Sequence, residues 1–278
     1  MQFTKAHGAG NDFIIVDDRA DAGHDWPTLA QQMCEPHFGV GADGLILIRD
    51  IDGPGYRMIM YNPDGSRAEM CGNGIRCLAR ILFERGAIAR EKVPIVTDGG
   101  DRWIHIVDDS PDSFLVAVGM GIPDFDSSHV PVDLPGETII NHHFKIDGTD
   151  FDLTAVSMGN PHAVAFVDSV EAVDLPRIGH LVEHHPAFPE RVNFEICEIL
   201  GPGRLRMRVW ERGAGITLAC GSGAAATAAA AVKSGRVPPG SLTMLVDGGE
   251  LSFEWAGGTA ELVMIGPAVT VYDGVWPL

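Results

Sequence analysis

The sequence predicts a mixed α/β (α+β) fold made of two pseudo-symmetric halves, each of them mostly strands around one central helix. Short runs rich in Val, Ile and Phe alternate with turn residues along the 278-residue chain, which contains 34 glycines and 18 prolines. Only two segments, 72–86 and 221–235, carry a convincing signature of a buried helix. These segments lie in matching sequence surroundings, which is typical of a duplicated chain.

The strands are predicted from short apolar runs that are bounded by turn residues. These runs are FIIVD (13–17), GLILI (44–48), YRMIMY (56–61), SFLVAVG (113–119), AVAFVD (163–168), RLRMRVW (204–210) and AELVMIG (260–266). Each predicted helix ends with a glycine shortly after a basic residue, Gly86 after Arg85 and Gly235 after Lys233. The second helix is rich in alanine, which favours a helix thin enough to pack closely inside a sheet.

Two cysteines mark the duplication. Cys71 and Cys220 each open a Cys-Gly-x-Gly sequence directly before a predicted helix. Asn11 precedes Cys71 by 60 residues, and Asn160 precedes Cys220 by the same distance. The residues nine positions before the two cysteines are Asn62 and Glu211. We expect one half at 1–118, completed by 267–278, and a second half at 119–266, with the crossover in the turn-rich stretch after residue 119.

Composition excludes several classes of function. The formal net charge of −18 argues against nucleic acid as a partner, because phosphates need a basic face, and against an anionic membrane surface. The start, MQFTKAHGAG, lacks the apolar core of a signal peptide, and no uncharged apolar run reaches the roughly 18 residues of a membrane span. Five cysteines are an odd and sparse set, unlike a disulfide scaffold. We therefore expect a soluble, cytoplasmic protein whose cysteines are thiols.

A Cys-Gly-x-Gly sequence at a helix start has a definite chemistry. The first turn of a helix has backbone N–H groups without intrahelical partners, and the helix dipole adds partial positive charge there. Such an end binds a carboxylate and is expected to lower the pKa of a cysteine at the cap. Two such sites in a duplicated chain suggest a cleft with one cysteine on either side of a single substrate atom.

That arrangement suits the inversion of an amino-acid α-carbon without a cofactor. One group must remove the proton from one face while a second group delivers a proton to the other face. A thiol, with an ordinary pKa of about 8.5, is suited to either role near neutral pH. The N–H groups that would stabilise charge on the substrate carboxylate belong to the first helical turns: Gly72, Asn73, Gly221 and Ser222.

Five stretches in this order resemble the diaminopimelate epimerase family over nearly the whole chain. They are HGAGNDFIIVD (7–17), NPDGSRAEMCGNGIRCLAR (62–80), GNPHAVAFV (159–167), RVNFEI (191–196) and ERGAGITLACGSGA (211–224). The resemblance implies two pseudo-symmetric domains, each a mostly antiparallel β-roll or barrel around a central helix. It also implies interconversion of LL- and meso-2,6-diaminopimelate in lysine and peptidoglycan precursor synthesis, with no pyridoxal phosphate or metal, in a homodimer.

The resemblance assigns roles to individual residues. It implies that Cys71 and Cys220 are the thiolate and thiol, and that His162 and Glu211 modulate their pKa values. The residues that it implies in substrate binding are Asn11, Asn62, Gly72, Asn73, Asn160, Asn193, Glu211, Arg212, Gly221 and Ser222. Gly44 departs from the family pattern, which often has Gln there, and Ile216 replaces a residue that is commonly polar.

Other interpretations remain open from the sequence. A proline or hydroxyproline racemase uses the same two-cysteine logic, although Asn73 and the ERGAG stretch speak against it. In a redox-sensing protein, Cys71 and Cys220 would instead form a disulfide. Asparagines are common in turns, a lone histidine such as His162 is often a hydrogen-bonded core residue, and Glu211 with Arg212 also fits an ordinary exposed pair.

The remaining cysteines and a histidine cluster are not expected to take part in chemistry. The cysteines outside the repeated motif are predicted to be structural thiols: Cys34, Cys77 and Cys197. Three neighbouring histidines resemble a metal site only superficially, and we predict a solvated surface there: His180, His184 and His185.

Overall fold

The computed structural model describes every residue of the chain, Met1–Leu278. The fold is mixed α+β and dominated by strands, which confirms the predicted fold class. By its internal contacts the chain divides into two compact units, one formed by Met1–Gly119 with Ile265–Leu278 and the other by Met120–Met264. None of the helices has the length and hydropathy of a membrane span.

The first unit contains two helices and a mixed set of strands, numbered here in chain order. Its elements are β1 (Gln2–Gly8), β2 (Asn11–Asp17), α1 (Trp26–Cys34), β3 (Gly44–Asp50), β4 (Tyr56–Tyr61), β5 (Arg67–Ala68), α2 (Gly72–Glu84), β6 (Val93–Thr97), β7 (Gly100–Ser110), β8 (Ser113–Gly119) and β18 (Val269–Val275). The strands pair in the order β18-β1-β2-β3-β4-β6-β7-β8, with β5 added to β4. The pairs β2–β3 and β4–β6 are parallel and the others are antiparallel. Helix α2 packs against β1, β2 and β8.

The second unit follows the same plan. Its elements are β9 (His142–Ile146), β10 (Thr149–Ser157), β11 (Pro161–Phe166), a 3-10 helix (Val170–Ala172), α3 (Leu175–Glu183), β12 (Asn193–Gly201), β13 (Arg204–Glu211), β14 (Gly215–Ile216), α4 (Gly221–Lys233), β15 (Gly240–Val246) and β16 (Gly249–Trp255), and β17 (Val263–Pro267) crosses the boundary between the units. The order is β9-β10-β11-β12-β13-β15-β16, with β14 added to β13. The pairs β11–β12 and β13–β15 are parallel. Helix α4 packs against β10, β11, β12, β15 and β16.

The two units repeat one strand register. In each, the residue two positions after the asparagine of the duplicated motif opposes the first residue of the next parallel strand: Phe13 opposes Gly44, and His162 opposes Asn193. Two residues further along, Ile46 in β3 and Glu195 in β12 occupy equivalent positions. This correspondence allows the two units to be compared residue by residue.

Helices α2 and α4 begin directly after the two cysteines of the duplicated motif and end as predicted. Gly86 and Gly235 follow them in the left-handed region, with φ of 67° and 74°. All the alanines of α4 are fully buried. The thin profile expected from the sequence therefore does allow the helix to lie inside the strands of its unit.

Two further helices, α1 and α3, were not predicted. Each begins after an aspartate, Asp25 or Asp174, whose carboxylate accepts a hydrogen bond from the backbone three residues later. Each also has a proline in its first turn, which is a sequence signal for a helix start. They were missed because both are only nine residues long. The predicted run 260–266 also differs, since β17 begins only at Val263.

Candidate active-site residues of each unit

Cys71 lies at the start of α2. Its backbone is extended, with φ of −140°, and its sulfur accepts a hydrogen bond from the Gly74 amide at 3.4 Å. The thiol also lies 3.7 Å from Asn11 Oδ1, to which it donates. A partly exposed sulfur at a helix N-terminus is the arrangement that the sequence predicts for this residue.

Asn11 and Asn73 are hydrogen-bonded to each other beside Cys71. Asn73 Nδ2 donates to Asn11 Oδ1 at 3.1 Å, and Asn11 Nδ2 donates to Asp43 Oδ2 at 2.6 Å. Arg76 is fully buried and donates to Asn73 Oδ1 at 2.9 Å and to the Gly72 carbonyl at 3.0 Å. The amide of Asn11 therefore has a fixed orientation, with its oxygen toward the Cys71 thiol.

Asp43 and Arg76 lie outside the residues that the sequence motifs predict to be functional. Burial raises the pKa of the Asp43 carboxyl, and burial lowers the pKa of Arg76 to about 10. A charged residue inside a predicted buried helix, as Arg76 is, was the available signal. The sequence signal for Asp43 is weaker, because this residue only adjoins the predicted strand at Gly44.

Asn62 and Gly44 lie near the ends of neighbouring strands. Asn62 Nδ2 donates to Ser66 Oγ at 2.9 Å within its own turn. A Cβ atom on Gly44 would approach Met60 Cε to 2.9 Å and the Tyr61 carbonyl oxygen to 3.0 Å. The space that a longer side chain would need here is filled, and Met60 would have to move.

Cys220 lies at the start of α4 and is more buried than Cys71, at 7% exposed. Its sulfur is 3.6 Å from Ser222 Oγ, which accepts a hydrogen bond from Asn160 Nδ2 at 3.4 Å. In both units, therefore, an asparagine contacts the residue that follows it by 62 positions in the first turn of the helix.

The expected lowering of the cysteine pKa at a helix start is wrong for Cys220. Burial raises the pKa of the Cys220 thiol well above its ordinary value, and the nearby charges of Glu211 and Glu195 act in the same direction. Hydrogen bonds with Ser222 and Gly223 oppose this but are outweighed. The helix dipole alone does not offset desolvation next to two carboxylates. Cys220 is therefore held as a thiol near neutral pH.

His162, in β11, is fully buried. Its Nδ1 is 2.7 Å from Glu195 Oε1, and its Nε2 is 3.0 Å from Asn160 Oδ1. Glu195 is also fully buried, and burial raises the pKa of its carboxyl. No sequence motif marks Glu195, although a glutamate two residues after Asn193 in a buried strand indicates that the strand carries polar groups on one face.

Asn193 connects two backbone segments. Its Nδ2 donates to the Pro161 carbonyl at 2.8 Å, and its Oδ1 accepts from the Arg212 amide at 2.9 Å. The Arg212 guanidinium itself is exposed and donates to the Glu190 carbonyl at 3.1 Å. Asn193 thus holds the backbone from which the Arg212 side chain extends.

The residues around Cys71 and Cys220 lie in the stretches that the comparisons with known proteins match. The family model described as diaminopimelate epimerase matches residues 3–126 and 154–271. The chain belongs to the diaminopimelate epimerase family. Membership of this family makes it an isomerase.

One relative and two solved structures illustrate the range of similarity. The diaminopimelate epimerase of Pelotomaculum thermopropionicum is 43% identical, over 100% of this chain and 99% of that protein. A phenazine biosynthesis protein of the PhzF family from Bacillus anthracis has a TM-score of 0.72 at 14% identity, covering 99% and 98% of the two chains. A hydroxyproline epimerase from Agrobacterium vitis has a TM-score of 0.71 at 16% identity, covering 99% and 90%. At these identities the two structures show a common fold.

Two further residues near the 211–217 turn, Thr217 and Glu183, are not marked by any sequence motif. The Thr217 hydroxyl donates to Glu211 Oε1, which orients that carboxylate. Glu183, 3% exposed, accepts from Trp210 Nε1 at 2.7 Å and from the Gly213 amide at 2.9 Å. Glu183 therefore ties the turn that follows Arg212 to helix α3.

The residues expected to be structural are placed as follows. The thiols outside the repeated motif are buried, and burial raises the pKa of each to about 12: Cys34, Cys77 and Cys197. His180 and His184 are exposed, as predicted, and the edge of the half-buried His185 meets the Phe144 ring. A carboxylate lies beside two of these histidines, because one possible ligand atom from each of His180, Glu183 and His184 lies within 4.8 Å of the others. Its two oxygens are engaged by Trp210 and Gly213.

Proposed function

We propose that this chain interconverts LL-2,6-diaminopimelate and meso-2,6-diaminopimelate without a cofactor, as a step in lysine and peptidoglycan precursor synthesis. The observation that carries the proposal is that each helix-start cysteine is connected to an asparagine, Cys71 to Asn11 directly and Cys220 to Asn160 through Ser222, in a chain of this family. Equivalent groups in two homologous units suit a reaction whose forward and reverse directions exchange acid and base.

The proposed reaction moves one proton at each face of the α-carbon. A thiolate sulfur takes the α-proton, so that an S–H bond forms as the C–H bond breaks and the electron pair remains on the substrate. The second thiol then gives its proton to the opposite face and becomes a thiolate, so the enzyme ends with the roles of its two sulfurs exchanged. Because Cys220 is held as a thiol, we assign it as the acid and Cys71 as the base of the turnover that begins from this state.

The carbanionic intermediate is the difficult species. In the proposal, the substrate α-carboxylate lies against the N–H groups of the first helical turns, whose positive dipole ends stabilise the charge that develops. Each such preorganised donor is worth about 3 to 4 kcal/mol in well-studied enzymes. The donors proposed for this role are the backbone amides of Gly72, Asn73, Gly221 and Ser222.

The distal end of the substrate is proposed to be read by Arg212. A guanidinium binds a carboxylate through two parallel hydrogen bonds, and that of Arg212 is exposed. Asn193 supports it by fixing the Arg212 amide. Glu211, oriented by Thr217, is proposed both to receive an ammonium group and to raise the pKa of Cys220. The remaining proposed substrate contacts are Asn11, Asn62, Asn160 and Asn193.

A chiral separation of the products tests this function. The purified chain is incubated with LL-diaminopimelate, and in parallel with L-proline, and the stereoisomers are resolved over time. The proposal expects meso-diaminopimelate to accumulate toward equilibrium while L-proline stays unchanged. Faster conversion of proline than of diaminopimelate would indicate a racemase of the rival class, and no conversion of either would overturn the proposal.

We further propose that the chain is a cytoplasmic homodimer, as the resemblance implies. Five exposed apolar residues near the C-terminus offer a surface for self-association: Val269, Val271, Tyr272, Val275 and Leu278. Light scattering on the eluting protein measures the mass directly. A Val275→Asp variant is expected to elute as a monomer, and a monomeric wild-type protein would contradict the proposal.

A further inference from the structure

A buried ionisable pair distinguishes one unit from the other. His162 and Glu195 are both fully buried, and their equivalents in the repeated register of the first unit are the apolar residues Phe13 and Ile46. The same strand pairing is therefore built in the first unit without any charge. Burying an ion pair contributes little to stability compared with well-packed apolar groups. The pair is thus unnecessary for the strand register and calls for a functional explanation.

Glu195 reaches the turn that carries Cys220. A Cβ atom on Gly223 would lie 2.6 Å from Glu195 Oε1 and 3.3 Å from Cys220 Sγ, so both side chains border this glycine. At the equivalent position of the first unit, a Cβ on Gly74 would meet Ile46 Cδ1 at 2.7 Å. The carboxylate of Glu195 thus occupies the place of an apolar methyl group beneath the helix start.

Hydrogen bonds connect Glu195 to the sulfur. Glu195 Oε1 contacts His162 Nδ1, and His162 Nε2 contacts Asn160 Oδ1. Asn160 Nδ2 donates to Ser222 Oγ, which lies beside Cys220 Sγ. Because Asn160 occupies a lone pair of the Ser222 hydroxyl, the hydroxyl hydrogen is free to point at the sulfur.

The protons in this series of hydrogen bonds can be counted. Asn160 Oδ1 can only accept, so His162 Nε2 carries a hydrogen. His162 Nδ1 then faces Glu195 Oε1 at 2.7 Å, which requires one proton between the two atoms. The pair therefore has no net charge. Its second oxygen, Glu195 Oε2, is buried without a hydrogen-bond partner, and this also favours a neutral pair over an ionised carboxylate standing alone.

We propose that Glu195 is a positioning residue for the Cys220 half of the reaction and acts through His162. The proton that it shares fixes His162 as an Nε2 donor, and this aligns the Asn160 amide and the Ser222 hydroxyl on the sulfur. The inference rests on the proposed epimerase function. The shared proton stays within the pair throughout turnover, so the α-proton balance between the two cysteines is unchanged.

The net charge of the His162–Glu195 pair matters because a second carboxylate, that of Glu211, also acts on Cys220. Glu211 from β13 approaches the same sulfur, and its charge and that of Glu195 both oppose formation of the thiolate. Glu195 itself is faced by His162 from β11 and by the charge of Glu211. With a proton held between His162 and Glu195, only Glu211 opposes the thiolate that Cys220 becomes after giving up its proton.

A double-mutant cycle tests the inference. The double variant His162→Phe with Glu195→Ile copies the other unit and is expected to keep the melting temperature of the wild type. In Glu195→Ile alone, kcat for diaminopimelate is expected to fall at least about tenfold, with KM changing less than about threefold. His162→Phe and the double variant are expected to lose a similar amount, because the pair acts as one unit. Glu195→Gln, whose amide can donate to His162 Nδ1, is expected to retain kcat within about threefold.

A spectroscopic readout separates this inference from the proposed function. In a 15N–1H spectrum of the imidazole groups, assigned with His162→Phe, His162 is expected to carry a proton on Nε2 in wild type and in Glu195→Gln. This measurement and the melting temperatures need no turnover, so they stand even where diaminopimelate proves not to be the substrate. A proton on Nδ1 alone, full kcat in Glu195→Ile, or losses that multiply in the double variant would each overturn the inference.

Discussion

His162 Nδ1 lies 2.7 Å from Glu195 Oε1, in a position where the other unit has phenylalanine and isoleucine. The two units thus share one strand register and one helix start at a cysteine, but the residues near the two cysteines differ. Asn11 is oriented by the carboxylate of Asp43, whereas Asn160 is oriented by an imidazole. This difference agrees with a reaction in which one sulfur begins as an acid and the other as a base.

The two helix-start glycines offer a matched pair of substitutions. Gly74→Ala brings a methyl group against the flexible end of Ile46, so the gain in helix propensity of about 1 kcal/mol should largely survive. Gly223→Ala instead drives a methyl group into the carboxyl of Glu195, which is bonded to His162. We expect the free energy of unfolding to fall by about 2 kcal/mol in this variant. Urea unfolding measures both, and equal effects would show that Glu195 is free to move.

The reactivity of Cys220 should depend on Glu211. Because the pKa of this thiol is raised, its alkylation by iodoacetamide is expected to accelerate only above the pH range of an ordinary thiol. Glu211→Gln removes a negative charge beside the sulfur, so the midpoint of the rate profile should move to lower pH. Peptide mapping by mass spectrometry identifies the modified cysteine. An unchanged or higher midpoint in the variant would contradict this account of the site.

Thr217 is expected to act through Glu211. Its hydroxyl donates to the carboxylate, and a hydrogen bond to a charged group is worth about 1.5 to 3 kcal/mol. Thr217→Val should therefore lower kcat/KM for diaminopimelate by roughly tenfold to a hundredfold. Thr217→Ser keeps the hydroxyl and serves as the control, with activity close to wild type. A loss of activity in Thr217→Ser with none in Thr217→Val would mean that the methyl group, rather than the hydroxyl, is what matters.

Glu183 should contribute to stability at neutral pH and lose that contribution in acid. Burial opposes ionisation, but the hydrogen bonds from Trp210 and Gly213 outweigh it and hold the pKa of Glu183 below its usual value. A lowered pKa stabilises the fold above the pKa of the unfolded chain, about 4.3, and this stabilisation disappears as the pH falls through the folded value. The difference in unfolding free energy between wild type and Glu183→Gln should therefore shrink below about pH 4. A difference that is constant between pH 7 and pH 3 would contradict it.

Much of the fold could be predicted from local pattern. The apolar runs between turn residues located strands such as β4 and β8, and the glycines after α2 and α4 marked where those helices end. The short helices α1 and α3 were not predicted, because a nine-residue helix contains few apolar positions from which its period can be recognised. Their aspartate caps and first-turn prolines were nevertheless readable.

The site was only partly predictable for a physical reason. The cysteines could be found because the repeated motif places each at a helix start. The groups that set their ionisation are distant in sequence and meet only through strand pairing, as Glu195 does when β12 lies beside β11. The raised pKa of Cys220 depends on burial, which no local motif reports. The repeated motif therefore predicts which thiols react, whereas the protonation of Cys220 follows from its burial in the fold.

The central claim is that two thiols move one proton each at a single carbon. The most direct measurement follows deuterium at the α-carbon of LL-diaminopimelate in D2O. It compares the wild type with Cys71→Ala and Cys220→Ala, and Cys34→Ala serves as a control for a thiol outside the repeated motif. We expect the wild type and the control to form meso-diaminopimelate that carries one deuterium at the inverted centre, and neither Cys71→Ala nor Cys220→Ala to form any. Epimerisation at the wild-type rate by Cys71→Ala or Cys220→Ala, or inversion without deuterium, would contradict the account.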